Sequence, residues 1–215
     1  MYGRRLAVAL AVVLLAVTAG CGFITGQSAL TFSASPTTVA DGAQSETGYE
    51  ETTVEEQTVT RTFSVANQSR EVEVTNQLAQ YERQVDLGPL GSERAAVFVT
   101  LTSPEVEVGG RTFNPISDMS EREILAEFES QYEGVSVGDS VDSRSTTVLG
   151  KSATVEKFEG TATLSGTQVD TYVHAVKLKH ETDYVVAVAI YPQQIPGEEE
   201  KVFSLLDALE HSGEQ

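Results

Sequence analysis

The chain has 215 residues, with 14 Lys plus Arg against 32 Asp plus Glu, a formal charge of −18, three His, one Cys and no Trp. That balance excludes nucleic-acid binding through a basic surface, because neutralising phosphate needs concentrated Lys and Arg. A single cysteine excludes disulfide frameworks and multi-cysteine zinc or iron–sulfur sites.

Met1 to Arg5 is a short positive start, Leu6 to Ala19 is uncharged and dominated by Ala, Val and Leu, and small residues precede Cys21. These are the three parts of a secretory signal, expected over residues 1–20. The sole cysteine directly behind them resembles the lipobox of bacterial and archaeal lipoproteins, in which the thiol is lipidated and the cysteine becomes the new N-terminus. Leu6 to Ala19 makes only about 21 Å of helix against a hydrocarbon core of about 30 Å. An uncleaved anchor would have to run on to Ile24. Either way the arginines stay inside and the remainder faces out. The expectation is a cell-membrane protein, lipid-anchored through Cys21 and facing the extracellular side, with Sec and twin-arginine export both open.

Arg4 and Arg5 are the only charged residues among the first twenty, so 12 bases and 32 acids remain beyond them. In dilute buffer such self-repulsion opposes compaction. In molar salt the Debye length falls to about 3 Å and the repulsion is screened. This is a surface suited to brine.

Residues 21–56 are rich in Ser, Thr, Gly and Glu and read as a lipid-anchored tether, with one short strand at Ala29–Ser33. Beyond it a single ectodomain is expected over 57–212. Thr58–Val65 alternates Val, Arg and Phe with Thr and Ser, and Arg70–Val74 repeats the period after an Ala66–Ser69 turn. This predicts a long hairpin whose second arm runs as far as Val85. Asp86–Gly91 is a turn, Ala95–Thr102 a strand, and Gly109-Gly110 joins Val106–Val108 to Arg111–Phe113. Ser120 and Glu123 form a capping box stapled by Met119 and Ile124. The helix they open presents Ile124, Leu125, Phe128 and Tyr132 on one face and ends at Gly134. Strands follow at Ser143–Val148, Ala153–Leu164, Gln168–Leu178 and Asp183–Tyr191, hairpin-linked at Gly150-Lys151 and Ser165-Gly166. Tyr184–Ile190, apolar at both parities, is the expected central strand. A last helix opens with Glu198-Glu199-Glu200, carries Val202, Leu205, Leu206 and Leu209, and ends at His211.

The expected class is α+β: an antiparallel sheet carrying a mid-chain and a C-terminal helix, extended by an N-terminal hairpin. From Ala95 to Ser212 this order resembles the PsbP-like fold. The segments Ser45–Glu50, Arg70–Asn76, Asp86–Gly91, Phe113-Asn114-Pro115, Asp118-Met119-Ser120 and Tyr191-Pro192-Gln193 resemble those of an uncharacterised lipoprotein family of halophilic archaea. That resemblance implies lipid attachment at Cys21 and supplies no activity.

Chemistry is sparse. His174 and His180 share a strand but lie about 20 Å apart at six residues of separation, too far for one ion. No metal site and no cofactor are expected. Neither a nucleophile elbow nor a phosphate loop is present. Asn67-Gln68-Ser69 is an N-glycosylation sequon at a hairpin tip. Three loops combine Gly and Pro with larger side chains and are candidate interaction loops: Leu87 and Pro89, then Phe113, Asn114 and Pro115, then Tyr191, Pro192 and Gln193. The expectation is a non-catalytic envelope module, anchored in the membrane, with an envelope protein as partner and no nucleic acid. A single-domain binder with a pocket between sheet and C-terminal helix, and an extracellular hydrolase using carboxylates, are the alternatives.

Overall fold

The structure, a computed structural model, describes residues 29–65, 68–86, 88, 91–108, 111–131 and 134–212. In chain order the strands and helices are β1 (Leu30–Ser33), β2 (Thr37–Val39), α1 (Asp41–Thr47), β3 (Glu50–Val65), β4 (Gln68–Asp86), β5 (Ser92–Pro104), β6 (Val106–Val108) and β7 (Arg111–Phe113). Then come α2 (Glu121–Gln131), β8 (Val135–Val148), β9 (Lys151–Leu164), β10 (Thr167–His180), β11 (Asp183–Pro192), α3 (Glu198–Asp207) and β12 (Leu209–His211).

Eight strands form one mixed sheet in the order β1-β4-β5-β11-β10-β9-β8, with β3 also paired to β4. The two short pairs are β2 with β12 and β6 with β7. The chain divides into two compact units. One comprises residues up to Phe32 together with Thr58–Val74, whose described part is most of β1 and the distal arms of the β3–β4 hairpin. The other comprises Ser33–Gln57 and Thr75–Gln215.

Within that second unit β11 lies between β5 and β10, antiparallel to both, as its double apolar parity predicts. Val185, Ala187 and Ala189 join one buried cluster with Val202, Leu205 and Leu206 of α3. Val186, Val188 and Ile190 point the other way, into a cluster with Leu125 of α2. Period-two alternation on one strand thus feeds two cores. The β8–β9 and β9–β10 hairpins turn at Leu149-Gly150 and Ser165-Gly166, all four residues at positive φ, as a two-residue type I′ turn demands.

The α+β, PsbP-like expectation is overturned. Strand accounts for 65 % of the described chain and helix for 17 %, in a large mixed sheet with three short helices. The tether expected over 21–56 is folded from Leu30 onward, and the boundary expected at 56/57 falls inside β3. Its Ser/Thr/Glu composition conceals two large anchors, since Val39 and Tyr49 are fully buried in the α3-side cluster. β8 begins at Val135 rather than Ser143, because most of its side chains face solvent and leave no apolar alternation to read. The last helix stops at Asp207; Leu209 and His211 belong to β12, which pairs with β2. Among the described residues no helix is long and apolar enough to cross a membrane.

Candidate functional site

Three acids open α3, and the fold treats each differently. Glu198 is wholly buried: its Oε1 accepts from the Tyr49 hydroxyl at 2.9 Å and from Arg83 Nε at 3.0 Å, while Arg83 Nη2 bonds its Oε2. Glu199 accepts from Lys157 Nζ at 2.6 Å, and Glu200 from Arg144 at 3.1 Å. The same two cations cover aromatic faces, Lys157 at 4.0 Å from the Tyr172 ring centre and Arg144 at 4.1 Å from that of Phe203. The acidic helix start is therefore tied to β4, β9 and β8. Burial first, then the adjacent Glu198 charge, pushes the Tyr49 phenol well above its ordinary pKa.

His174 on β10 is buried, with Nε2 3.0 Å from the Tyr191 hydroxyl and its ring stacked on Tyr191 at 5.6 Å. Phe203 meets it edge-on at 5.9 Å. Burial brings the imidazole pKa down to about 4, so it is neutral at pH 7. Burial raises the Tyr191 phenol in turn, helped by Glu199 and Glu198.

The second histidine cluster has no local sequence signal. His211 on β12 places Nδ1 3.0 Å from Thr37 Oγ1 and Nε2 3.4 Å from Asp183 Oδ2. Asp183 also accepts the Ser35 N–H at 3.0 Å, and Thr37 Oγ1 accepts from Thr102 at 2.9 Å. The His180 ring stands edge-on to that of His211 at 5.1 Å, with its buried Nδ1 lacking a hydrogen-bond partner. Asp183, His211 and Thr37 have the order of a hydrolytic relay, but Thr37 is only 2 % exposed and closed to a substrate. What they can do is brace β2, β11 and β12 together. Among the described residues no group of three His, Cys, Asp or Glu is arranged to hold a metal ion.

Of the site residues expected from sequence, Cys21, Asn67, Leu87 and Pro89 lie outside the described residues. Phe113 and Pro115 are exposed, whereas Asn114 is buried. Asn114 Nδ2 donates to the Pro104 carbonyl at 2.9 Å and to Ser103 Oγ at 3.3 Å, and its Oδ1 accepts the Ile116 N–H at 2.8 Å. Tyr191 and Pro192 are likewise buried, and half-buried Gln193 donates to the Thr171 carbonyl at 3.1 Å. These two loops are therefore anchored inward, which corrects the expectation for Asn114, Tyr191 and Pro192.

Among the described residues an apolar cavity lies beside α2. It holds about 200 Å³, floored by side chains such as Leu78, Leu101 and Val186 and roofed by Ile116, Met119 and Phe128. Two wider depressions, of about 610 and 520 Å³, are polar and acid-lined, by Asp41, Glu50 and Glu51 in one and Asp139, Glu159 and Asp170 in the other.

The domain is strand-dominated, and its buried polar groups Glu198, Asp183 and His174 are each bonded inside the fold. Residues 36–210 match the model of a domain of unknown function, DUF6517, and the chain belongs to that family. No curated protein matches it.

Proposed function

We propose that this protein is a lipid-anchored module of the cell envelope, held through Cys21 on the extracellular side of the membrane and acting by interaction or as an accessory rather than as a catalyst. One observation carries the non-catalytic part of the reading: three of the buried ionisable groups are each engaged with a partner inside the fold. Glu198 is bonded to Arg83 and Tyr49, Asp183 faces His211, and His174 faces Tyr191. A catalytic acid or base has to keep a face free for its substrate, and these do not.

The resemblance to lipoproteins of halophilic archaea supports the same reading. It joins a lone cysteine behind an apolar run to an acid surplus that molar salt screens. Paired lipid chains anchor stably where one is marginal. An envelope protein is the partner that such a display would serve.

Cell fractionation of a Cys21→Ser variant tests the anchor. The variant should lose lipid processing and leave the membrane fraction. Unchanged size together with unchanged membrane retention would overturn the reading in favour of a spanning N-terminal segment.

A further inference from the structure

The cavity beside α2 is built rather than left over. Its lip residues Ile116 and Met119 sit on a loop that Lys177 clamps from below, its Nζ donating to the carbonyls of Ile116 at 3.2 Å, Ser117 at 3.1 Å and Met119. Asn114 holds the other end of that loop through its bonds to Ser103, Pro104 and the Ile116 N–H. A roof fixed at both ends by polar contacts cannot collapse onto the floor, so the space stays open.

Polarity is confined to the rim. The deep wall is aliphatic and aromatic, and the two polar lining residues are Gln57 and Glu127, both exposed. Gln57 Nε2 donates to Glu55 Oε1 at 3.1 Å, so a second carboxylate stands beside that rim residue. A dry apolar cavity of about 150 Å³ accepts benzene, so about 200 Å³ suits a chain of roughly six to eight carbons.

We propose that this cavity is a binding site for a short amphiphilic cation, an alkyl ammonium whose hydrocarbon tail enters between α2 and the sheet while its head meets Glu127 and Glu55. The apolar wall selects the tail by burial. The two rim carboxylates select the head by charge and repel a carboxylate or phosphate in the same place. This goes beyond the envelope reading and does not depend on it.

Met119 is the only methionine besides Met1, so a ¹³C-methyl methionine label places a reporter on the lip. The full chain, in nanodiscs and molar KCl, is titrated with hexylammonium, hexanol and hexanoate against empty discs. The Met119 signal should shift saturably with hexylammonium, with hexanol weaker and hexanoate at least tenfold weaker. Glu127→Gln should narrow that spread to within about threefold. Leu101→Phe, which fills the cavity, should abolish the saturable shift; Ile116→Phe serves the same purpose if Leu101→Phe does not fold. A shift that never saturates, equal binding of hexanoate, an unchanged spread in Glu127→Gln, or binding that survives a filled cavity would each overturn the proposal.

Discussion

The rings of His180 and His211 meet edge-on at 5.1 Å, one at the end of β10 and the other on the last strand of the chain. His211 is held on its far sides by Asp183 and Thr37, so this contact fastens the β2–β12 pair to the β10–β11 turn. Burial, then the neighbouring His211 and Lys151, lowers the His180 pKa, against a weaker pull from Glu181 and Asp183. A histidine held below its ordinary value stabilises the fold fully above that value and progressively less as pH falls. The β2–β12 pair should therefore loosen first in acid. Exchange of the Ala40 and Ser212 amides, which donate to Ala208 and Pro36, should quicken several-fold between pH 7 and pH 5.5 after correction for intrinsic rates. Amides of β11 should not follow, and His180→Gln should remove the effect. Uniform behaviour across both sets would refute it.

His174 imposes a broader pH limit. Its pKa falls from 6.5 to about 4 because the folded state excludes water from the ring. The unfolded chain takes up the proton first, so stability drains as pH drops from about 6.5 towards 4. The loss between pH 7.5 and pH 5 should be about 2 kcal/mol. Urea melts at the two pH values measure it, and a His174→Gln variant should show a flatter dependence despite a lower stability at neutral pH.

Glu198 is the costliest charge to disturb. Glu198→Ala leaves the largely buried Arg83 without its carboxylate and Tyr49 without its acceptor. Removing one partner of a buried pair costs about 3–5 kcal/mol, whereas replacing both by apolar residues of similar size is far milder. Denaturant melts should find Glu198→Met combined with Arg83→Met more stable than Glu198→Ala alone. The reverse order would show that the pair contributes more than mutual neutralisation.

Salt should matter to the whole domain. With 32 acids against 12 bases beyond the first twenty residues, dilute buffer leaves the surface repelling itself. Molar KCl shortens the screening length to about 3 Å. The melting temperature should rise markedly from dilute buffer to molar KCl, and identical melts would remove the brine interpretation.

The helix start at Ser120 is legible because its chemistry is local. Ser120 N donates to Glu123 Oε2 at 2.7 Å and Glu123 N donates to Ser120 Oγ at 3.3 Å, within four consecutive residues. The β8–β9 and β9–β10 hairpins are legible for the same reason, apart from a one-residue displacement of the first turn. The failures lie elsewhere. Tyr49 and Val39 sit in a stretch whose average composition is that of a linker, yet one buried ring and one buried branched side chain suffice to draw it into the core. Leu209 continues the apolar spacing of α3 on paper, but the chain leaves the helix at Ala208 to pair with β2.

By itself the sequence determines the acid surplus, the single cysteine behind an apolar run, the hairpin turns and the capped helix. Each depends only on composition or on residues within a few positions of one another. Glu198, Glu199 and Glu200 are written identically, and nothing within reach of them in the chain says that the first is buried and the others are not. That is decided by Arg83 and Tyr49, brought in from distant strands, because a charge leaves water only where the packed fold supplies an opposite charge and donors at hydrogen-bond distance.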